Sequence, residues 1–409
     1  MTTTPSALEG IRVIDMSRVF AAPVGAQILG DLGADVIKVE RPGTGDDSRA
    51  YGPPFLGSAD GPDVAAFYLS CNRNKRSITL DHSTPGGQQL LRRLVAKSDV
   101  LIENFRPGVL ARYGLDHVSL AAVNPGLVYC SITGYGQDGP YSDRPGYDGV
   151  FQAMSGMMSV SGLPDAVPGG GPMKVGVSMV DILTGLYAGN AILAALHHRG
   201  VNGGSGQYID LSLLDCGLAS LSHYAQNYLV SGEVPERRGN GGYGGIPSQS
   251  LRCAEGEIFL VASTKGQFDA LCEVLRRPDL AEDARFATVS SRIAHRGELL
   301  KILDEILLTR TAADWISELE AADVPVSPVN ALPEVFANPQ IRHRGMRTTV
   351  EHGRAGEVDI LRNPIRLSQT PIDSYDAPPD LGADTADVLA SVLGMGDEEI
   401  ERLRADAVI

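Results

Sequence analysis

The chain has 409 residues, more than one hydrophobic core usually organises, and 43% of them are hydrophobic against 21% charged. This composition predicts two domains with substantial cores, and it excludes both a disordered chain and a single small binding module. Fifty acidic against 35 basic residues give a formal charge of -15, which repels nucleic-acid phosphates and anionic lipid surfaces. We therefore expect neither nucleic acid nor a membrane as a partner.

Cysteine usage and the N-terminus predict a cytoplasmic protein. The cysteines form no C-x-x-C pair that would indicate zinc or a redox dithiol; they are Cys71, Cys130, Cys216, Cys253 and Cys272. The N-terminal MTTTPSALEG lacks the basic and apolar regions of a signal peptide. Polar and glycine residues interrupt the longest apolar stretch, 183–196, which is too short for a membrane span.

The first forty residues predict a βαβ unit, with a strand over 11–16, a helix over 24–32 that ends before Gly33, and a strand over 34–40. Such a unit implies parallel strands. The alternation continues with a helix over 86–97, a strand over 99–103, a short helix over 119–123 capped by Ser119, and a strand over 127–132. The pattern predicts a doubly wound α/β sheet that extends to about residue 200.

The pattern changes in the C-terminal half and predicts a smaller α+β domain. A strand over 257–262 precedes helices over 268–275, 296–308 and 312–321, and two further helices are predicted over 385–393 and 397–405. The glycine-rich stretches 162–171 and 239–245 are expected to be functional or hinge loops. The expected domains are 1–205, 225–330 and a C-terminal segment, 335–409, that returns to the first domain.

The motifs of several enzyme classes are missing. Residues 17–23 contain no glycine, so the dinucleotide-binding fingerprint is missing, although the acidic Glu40 ends the second strand. The sequence has no Walker A motif, no G-x-S-x-G elbow and no H-E-x-x-H zinc motif. His197 and His198 end a helical run, where solvated residues are more common than metal ligands. We predict no metal site.

Asp181 lies between two apolar segments, 175–180 and 182–188, at the start of a predicted helix. One interpretation is structural, because an N-cap aspartate stabilises its helix by about 1 kcal/mol. The other is chemical, because a partly desolvated carboxylate held by helix N–H groups is a nucleophile or a base. The residues alone leave both interpretations open.

Segments along nearly the whole chain resemble the class III coenzyme A transferases, the CaiB/BaiF family of formyl-CoA transferase and carnitine CoA-transferase. They are LEGIRVIDMSRVFAAPVGAQILGDLGADVIKVERPGTGDDSR at 8–49, NRNKRSITLD at 72–81, ENFRPGVLARYGL at 103–115, SITGYGQDGPYSDRPGYD at 131–148 and GVSMVDILTGLYA at 176–188, followed by RGNGG at 238–242 and DARF at 283–286. The resemblance implies an α/β fold with a Rossmann-like large domain and a smaller α+β domain. It also implies an interlocked homodimer with the active site near the dimer interface.

The resemblance implies that Asp181 is a covalent nucleophile. Its carboxylate attacks an acyl-CoA thioester to give a mixed anhydride, and the released CoA thiolate converts the anhydride into an aspartyl-CoA thioester. The acceptor acid then attacks this thioester, and CoA leaves on the new acyl group. No cofactor is bound permanently, because coenzyme A and acyl-CoA are substrates.

The second glycine-rich loop is implied to cover the aspartyl-CoA intermediate and exclude water. Its predicted catalytic residues are Gly241, Gly242, Gly244 and Gly245, since only residues without side chains can approach the intermediate closely. The alternative is a plain hinge between domains.

The positions that match the family's CoA contacts are Val19, Ala21, Arg41, Leu80, Asn104, Phe105, Arg112 and Tyr113. The backbone of Val19 and Ala21 is implied to lie beside pantetheine. Arg41 and Arg112 are implied to supply positive charge for the 3′-phosphoadenosine diphosphate. Either arginine could instead be a surface ion-pair residue.

Two positions narrow the expected activity. Phe20 stands where formyl-CoA transferase has a glutamine, which argues against a site for formate or oxalate; Ser83 is a second departure, at a lysine of that enzyme. Tyr147, a predicted catalytic residue, stands where the α-methylacyl-CoA racemases have a histidine base, and a phenol is a poor base near neutral pH. Racemase-type proton transfer and a non-catalytic acyl-CoA binding protein are the alternatives.

Among the transferases, the chain is most similar to the succinyl-CoA:glutarate type, in SRVFAAP at 17–23, GDD at 45–47 and LSHYAQNYL at 221–229. We therefore expect succinyl-CoA as the CoA donor and a dicarboxylate such as glutarate, itaconate or mesaconate as the acceptor. Phe20, Arg18, Arg73 and Arg106 are the predicted substrate-binding residues. The arginines are candidates for binding the distal carboxylate of the acid.

Overall fold

The computed structural model of the protein describes residues 5–57, 64–242 and 244–409. These residues divide into two compact units. The first unit comprises the described residues up to Met157, together with Val175–Gly232 and Arg344–Ile409, and the second comprises Met158–Lys174 and Glu233–His343. Residues 158–174, which we expected in the N-terminal domain, thus cluster with the second unit.

The elements before residue 232 alternate between short strands and helices. They are β1 (Arg12–Asp15), α1 (Ala21–Asp31), β2 (Asp35–Glu40), β3 (Phe55–Leu56), β4 (Val64–Ala65), α2 (Ala66–Leu69), β5 (Lys75–Thr79), α3 (Pro85–Val95), β6 (Val100–Glu103), α4 (His117–Ala121), β7 (Val128–Thr133), α5 (Asp148–Met154), α6 (Met157–Val160), α7 (Met179–Val201), β8 (Tyr208–Ser212), α8 (Leu213–Ser220) and α9 (His223–Ser231). Short 3-10 helices cover Asp47–Ala50 and Leu110–Tyr113.

The remaining elements are mostly helical. They are β9 (Ser248–Arg252), β10 (Glu257–Val261), α10 (Lys265–Val274), α11 (Asp279–Glu282), α12 (Val289–Ala294), α13 (Arg296–Leu307), α14 (Ala312–Ala321), β11 (Val326–Pro328), α15 (Leu332–Ala337), α16 (Pro339–His343), β12 (Arg347–His352), β13 (Gly356–Leu361), α17 (Thr385–Leu393) and α18 (Asp397–Ala405).

The first unit is built on a six-stranded sheet in the order β5-β2-β1-β6-β7-β8. Every pairing in it is parallel, which confirms the predicted α/β class. Val13 of β1 pairs with Val36 of β2 on one side and with Val100 of β6 on the other. The strand order therefore reverses between β1 and β6. In open α/β sheets, ligands bind beyond the carboxyl ends of the strands at such a reversal.

Helices cover both faces of this sheet. On one face, α3, α17 and α18 contribute Leu94, Val388 and Ile400 to a buried apolar cluster. On the other face, α1 and α7 contribute Leu29 and Ala188. The C-terminal helices therefore complete the core of the first unit, because they cover strands formed by the N-terminal residues.

Two strands of the six-stranded sheet and the starts of two helices differ from the sequence prediction. The strands β5 and β8 were not predicted. Helix α1 begins at Ala21, three residues before the predicted start, and Ser119 lies inside α4, whose N-cap is Asp116. In β5, Lys75 and Ser77 are buried, so the inward side chains do not give the apolar pattern that marks a core strand.

The second unit contains an antiparallel sheet in the order β11-β10-β9 and the helices α10 to α14. Phe268, Leu303 and Trp315 are members of its apolar core. The indole N–H of Trp315 donates to the carbonyl oxygen of Leu307 at 2.9 Å, so the large ring is buried without an unpaired donor. The predicted α+β composition of the smaller domain is confirmed.

Among the described residues, only α7 is long and apolar enough to cross a membrane by length and composition alone. It is longer than the apolar stretch seen in the sequence. Its buried residues include Val180, Thr184, Ala188 and Ile192, which pack inside the first unit. Packing against α1 and the sheet accounts for the apolar character of this helix.

Candidate active site

Two adjoining pockets lie at the carboxyl edge of the parallel sheet, beside the reversal of strand order. The first pocket has a volume of about 260 Å³ and is lined by residues that follow β1, β6 and β7 and by the start of α7. The second has a volume of about 480 Å³ and is lined by residues that follow β1, β2, β5 and β6. Arg18, Phe105 and Arg106 line both pockets. The two pockets therefore form a continuous candidate site for an elongated ligand.

The turn from β1 into α1 forms one wall of the first pocket. Val19 has a φ angle of +72° there, a left-handed conformation that costs a β-branched residue about 1–2 kcal/mol. The side chain of Asn104 accepts the N–H of Arg18 at 2.9 Å and donates to its carbonyl oxygen at 2.8 Å. The Asp46 carboxylate accepts the N–H of Val19 at 3.1 Å. Side chains from two other segments thus hold a strained turn in place.

A buried ion network lies next to this turn. Lys38 Nζ donates to Asp46 Oδ2 at 2.8 Å and to the Ser17 carbonyl oxygen at 3.0 Å, and Lys75 Nζ donates to Asp15 Oδ2 at 2.9 Å. Burial alone would lower the pKa of Lys38, but the carboxylates of Asp15 and Asp46 outweigh it and raise this pKa above its ordinary value. Removing one partner would leave a buried charge unpaired, so the network fixes Asp46 and, through it, the turn.

Glycines set the position of Asp181, which lies in the first turn of α7. A Cβ atom on Gly185 would lie 2.8 Å from the carbonyl oxygen of Ala21, and one on Gly25 would lie 3.2 Å from the Cβ of Ala188. The missing side chains let α7 pack closely onto α1. The first turn of α7 consequently reaches the first pocket, which Asp181 lines.

Asp148, and not Asp181, caps helix α7. Asp148 Oδ1 accepts the N–H groups of Val180 at 2.8 Å and of Asp181 at 3.3 Å, and Oδ2 accepts the Gln152 amide at 2.6 Å. The N-cap position itself is Ser178. Within the described residues, no side-chain or backbone donor is found on the Asp181 carboxylate. The interpretation of Asp181 as an N-cap is therefore wrong.

The environment of Asp181 disfavours its charged form. Burial raises the pKa of its carboxyl to about 7, and repulsion from the Asp148 carboxylate acts in the same direction. A carboxylate that has lost water and has no hydrogen bonds from the protein is a stronger nucleophile than one in solution. Perturbed groups in a cleft are candidates for catalysis.

The segment 142–147 forms another wall of the first pocket and is seated on a buried aromatic ring. The ring of Phe151 lies so close to Gly134 and Gly146 that a Cβ atom there would come within 2.7 and 2.3 Å of it. Phe151 itself is fully buried. Because this ring supports the segment, Arg144 and Tyr147 line the first pocket.

Comparison with known proteins identifies the family. The model of CoA-transferase family III matches residues 8–385. The chain belongs to CoA-transferase family III. It is 46% identical to a succinate–glutarate CoA-transferase of Agrobacterium fabrum over 98% of this chain and 99% of that protein. It is 39% identical to a human succinyl-CoA:glutarate CoA-transferase over 98% of this chain and 90% of that protein. The crystal structure of a CaiB/BaiF family protein from Brucella suis is 43% identical and matches with a TM-score of 0.85, covering 95% of this chain and 100% of that one.

Membership of family III makes this chain an enzyme that transfers coenzyme A. Coenzyme A and its acyl esters are its substrates. The described residues contain no group of three or more His, Cys, Asp or Glu side chains that could hold a metal ion.

The structure brings most of the predicted site residues of this family III CoA-transferase together. Those that line the first pocket are Arg18, Val19, Phe20, Ala21, Asn104, Phe105, Arg106, Tyr147 and Asp181. Those that line the second are Arg18, Arg41, Leu80, Phe105 and Arg106. The predicted nucleophile thus lines one pocket, and the predicted adenosine contacts Arg41 and Leu80 line the adjoining one.

Apart from the glycine loop, three predicted residues line neither pocket. Tyr113 lies edge-on to the ring of His82, with 5.6 Å between ring centroids, and so supports the second pocket from behind. Arg112 is exposed on the short 3-10 helix. Arg73 is nearly buried, and its Nε donates to Asp31 Oδ1 at 2.9 Å. Because the guanidinium of Arg73 is committed to that ion pair, we do not retain Arg73 as a substrate-binding residue.

Glu40 also has a structural role. Its Oε1 accepts from Ser77 Oγ at 2.6 Å, and its Oε2 accepts from Arg49 Nε at 2.8 Å and from the Asp46 N–H at 2.9 Å. The acidic residue that holds a ribose in dinucleotide-binding folds is here saturated by the protein. This agrees with the missing glycine fingerprint.

The glycine loop belongs to the second unit. A Cβ atom on Gly245 would lie 2.5 Å from the Cβ of Ser263 and 3.0 Å from its carbonyl oxygen, so this position requires glycine within that unit. One on Gly241 would meet the end of the Arg296 side chain, which can move aside. A Cβ atom on Gly244 would meet nothing within 4 Å. The covering role of this loop concerns both units together and stays a prediction.

Sequence reasoning missed Asp148, Arg144 and His82. Arg144 and Asp148 flank Tyr147 in the segment that carried the family resemblance, so the signal was present but went unused. The role of Asp148 depends on a contact between α5 and α7 across 32 residues, which no local pattern shows.

Proposed function

We propose that this enzyme transfers CoA from succinyl-CoA to a dicarboxylic acid such as glutarate, with Asp181 as the covalent nucleophile. The main support for this proposal is the environment of Asp181. Burial raises the pKa of its carboxyl to about 7, and Asp181 lines a pocket at the reversal of strand order. The names of the Agrobacterium and human relatives support succinate and glutarate as the acids.

In the first half of the proposed reaction, CoA moves onto the enzyme. A carboxylate oxygen of Asp181 attacks the thioester carbonyl of succinyl-CoA, so that a C–O bond forms, the C–S bond breaks and CoA leaves as a thiolate. The thiolate then attacks the Asp181 carbonyl of the mixed anhydride. Succinate leaves, and Asp181 carries CoA as a thioester.

In the second half, the same steps run in reverse with the acceptor. A glutarate carboxylate attacks the aspartyl thioester, CoA leaves as a thiolate, and a glutaryl–aspartyl anhydride forms. The thiolate then attacks the glutaryl carbonyl, which releases glutaryl-CoA and regenerates the Asp181 carboxylate. Neither half requires ATP, because one activated acyl bond is present throughout, provided that water is excluded.

The two pockets support a division of labour along the CoA molecule. We propose that the second pocket holds the adenosine end, where Arg41 and Leu80 contribute and Tyr113 packs on His82, and that the exposed Arg112 also contacts the CoA phosphates. Val19, Ala21, Asn104 and Phe105 would then guide pantetheine toward the first pocket. Burial lowers the pKa of His82 in the second pocket, so its ring is neutral near pH 7 and adds no positive charge.

The acid moieties would occupy the first pocket. Phe20 contributes an apolar wall there, and its ring lies 5.1 Å from that of Phe67. Arg18 and Arg106 supply positive charge, and Tyr147 lines the same pocket as Asp181. We propose that the glycine loop of Gly241, Gly242, Gly244 and Gly245 covers the aspartyl-CoA intermediate.

A homodimer of the interlocked type is part of the proposal. Helix α9 of the described structure has no buried residue. Its Leu229 and Val230 are 74% and 77% exposed. Contiguous exposed apolar residues support a covering partner, for which a second copy of the chain is our candidate. All five cysteines are buried free thiols, which supports a cytoplasmic location.

Separation of CoA esters by HPLC tests the proposed transfer. The enzyme is mixed with succinyl-CoA and, in separate reactions, with glutarate, itaconate, mesaconate, malate, oxalate or carnitine. We expect new thioesters with dicarboxylates such as glutarate, itaconate or mesaconate, and none with oxalate or carnitine. Exchange of the α-proton of 2-methylacyl-CoA without an acceptor would indicate racemase chemistry instead.

The matched variant is Asp181→Asn, which keeps the size and removes the nucleophilic carboxylate. We expect CoA binding within about twofold of wild type and loss of turnover by at least about a thousandfold. Unchanged turnover in this variant would contradict covalent catalysis by Asp181. If the variant kept both CoA binding and turnover, the reaction would take place at another residue.

A further inference from the structure

We propose that Arg144 binds the distal carboxylate of the dicarboxylic substrates and is thereby a specificity-determining residue of the first pocket. This inference rests on the proposed dicarboxylate transfer. It adds a residue that was not among the predicted site residues.

Three arginines line the first pocket, and their surroundings differ. Arg18 has an ion-pair partner in Asp47 at 3.5 Å, and its guanidinium lies 5.1 Å from the ring centroid of Phe105. Arg106 lines both pockets and therefore stands where a CoA molecule would pass from one to the other. Arg144 lines the first pocket and not the second.

The positive charge of Arg144 is available to a ligand. Within the described part of the chain, no carboxylate lies within ion-pair distance of it. Its guanidinium lies over the ring of Tyr141, 3.7 Å from the centroid, and its side chain is exposed. A guanidinium stacked on a ring keeps its in-plane N–H groups free, so it can donate two parallel hydrogen bonds to a carboxylate.

The backbone segment that carries Arg144 is tied to the start of the helix that carries Asp181. The N–H of Arg144 donates to the Tyr141 carbonyl oxygen at 2.9 Å, and Gly146 seats the segment on Phe151. Two residues beyond Gly146, Asp148 accepts the N–H groups at the start of α7, which carries Asp181. One short segment therefore positions both the cation and the nucleophile.

Discrimination between acids requires a second contact away from the reacting carboxylate. When one carboxylate of the acid reacts at Asp181, a dicarboxylate presents a second one within the same pocket, and Arg144 can pair with it. An acid without the second carboxylate leaves the arginine unpaired. The same site serves both half-reactions, because succinate and glutarate each have a distal carboxylate.

The test compares two acceptors of nearly equal shape, glutarate and glutaramate, whose distal amide has no charge. KM and kcat are measured for each with succinyl-CoA as donor, in the wild type, Arg144→Ala and Arg144→Lys. We expect Arg144→Ala to raise KM for glutarate by about tenfold to a hundredfold and to leave KM for glutaramate within about twofold. Arg144→Lys keeps the positive charge but cannot donate two parallel hydrogen bonds, so its KM for glutarate should lie between those of the wild type and Arg144→Ala.

Two controls separate this effect from others. Arg93→Ala removes a surface arginine that is paired with Glu399 and lines neither pocket. This variant should leave KM and kcat for both acceptors unchanged. The dissociation constant of free CoA, measured by calorimetry, should be the same in Arg144→Ala and wild type. Thermal melts of each variant report on folding.

Equal increases in KM for glutarate and glutaramate would overturn the inference, as would weaker binding of free CoA, which would assign Arg144 to the CoA phosphates. Unchanged kinetics with glutarate in Arg144→Ala would overturn it as well. Failure of the proposed function has a different signature, because the wild-type enzyme would then accept no dicarboxylate at all.

Discussion

At the residue scale, the proposed reactivity of Asp181 rests on the absence of hydrogen-bond donors around its carboxylate. Its backbone N–H is bound by Asp148, but its carboxylate has no donor among the described residues. The same burial that raises its pKa also removes the water that would weaken it as a nucleophile. Asp148 contributes twice, since it fixes the start of α7 and adds negative charge next to Asp181.

This environment predicts an acidic limb in the pH profile of the enzyme. Because only the ionised carboxylate attacks a thioester, kcat/KM for succinyl-CoA should rise as pH increases through about 7, the pKa of Asp181. The measurement is a set of initial rates between about pH 5 and 9. A limb centred near pH 4, where an ordinary aspartate ionises, would contradict a raised pKa of Asp181.

The variant Asp148→Asn is the matched control for this limb. Its amide oxygen can still accept the N–H groups of Val180 and Asp181, so α7 keeps its cap. The repulsion that helps to raise the pKa of Asp181 is gone, so the limb should move to lower pH. A limb that stays in place would show that Asp148 does not act through its charge.

Val19 allows a second test at the residue scale. Glycine adopts a φ angle of +72° without strain, whereas alanine does not, and both substitutions remove the side chain. We therefore expect Val19→Gly to be more stable than Val19→Ala by about 1 kcal/mol, measured by urea unfolding. The opposite order would show that the turn is not strained.

At the element scale, the contact between α1 and α7 determines where the nucleophile lies. A Cβ atom on Gly185 would press against the backbone of Ala21 at 2.8 Å, whereas one on Gly189 would meet Ile28 at an ordinary 3.7 Å. Gly185 lies one helical turn after Asp181 and on the same face. A methyl group added at Gly185 should therefore shift the first turn of α7 and, with it, Asp181.

We expect Gly185→Ala to lower the free energy of unfolding by about 1–3 kcal/mol and to lower kcat for the transferase reaction at least about tenfold. Gly189→Ala is the control on the same helix and should be neutral or stabilising by up to about 1 kcal/mol, since alanine favours helices. Urea unfolding and steady-state rates measure both. Equal effects of the two substitutions would show that the close contact does not position Asp181.

The strands that the sequence predicted are those with apolar side chains on both faces. Strands β1, β2, β6 and β7 are apolar runs between turn signals, and the sequence predicted all four. Strand β5 was not predicted, because Lys75 and Ser77 point into a polar network that exists only in the folded protein. The network joins residues far apart in the chain, which local patterns cannot reveal.

The candidate site was predictable where a motif carries the residue and not where a distant partner decides its role. The motif around Asp181 led to the proposed nucleophile, which lines the first pocket, but Arg73, which looked similar to the other arginines, is held by Asp31 from another element. Likewise, Glu40 looked like a ribose ligand until its three protein donors were known. Tertiary partners separate functional charges from structural ones.

At the scale of the whole molecule, strand order explains the location of the site. The reversal between β1 and β6 opens a crevice, and the loops that follow these strands supply Arg18, Asn104 and Arg106. In a chain with a formal charge of -15, three arginines line the first pocket beside Asp47 and Asp181, and under the proposed function they are the positive charges that an anionic CoA ester would meet.

An interlocked homodimer predicts unusual exchange behaviour. Light scattering should give twice the mass of the chain, and tagged and untagged dimers mixed in the native state should form no mixed dimers. Mixed dimers should appear after the same proteins are unfolded and refolded together, because threaded chains cannot separate while folded. Rapid native exchange would contradict interlocking, and a monomeric mass would contradict the dimer.

The central claim is that Asp181 becomes bonded to CoA, and intact-mass spectrometry after mixing with succinyl-CoA tests it directly. We expect an adduct with the mass of CoA less one water, located on the peptide that contains Asp181. Glutarate should remove the adduct, and it should not form in Asp181→Asn. Rapid formation of glutaryl-CoA with no such adduct, or an adduct on another residue, would contradict the account.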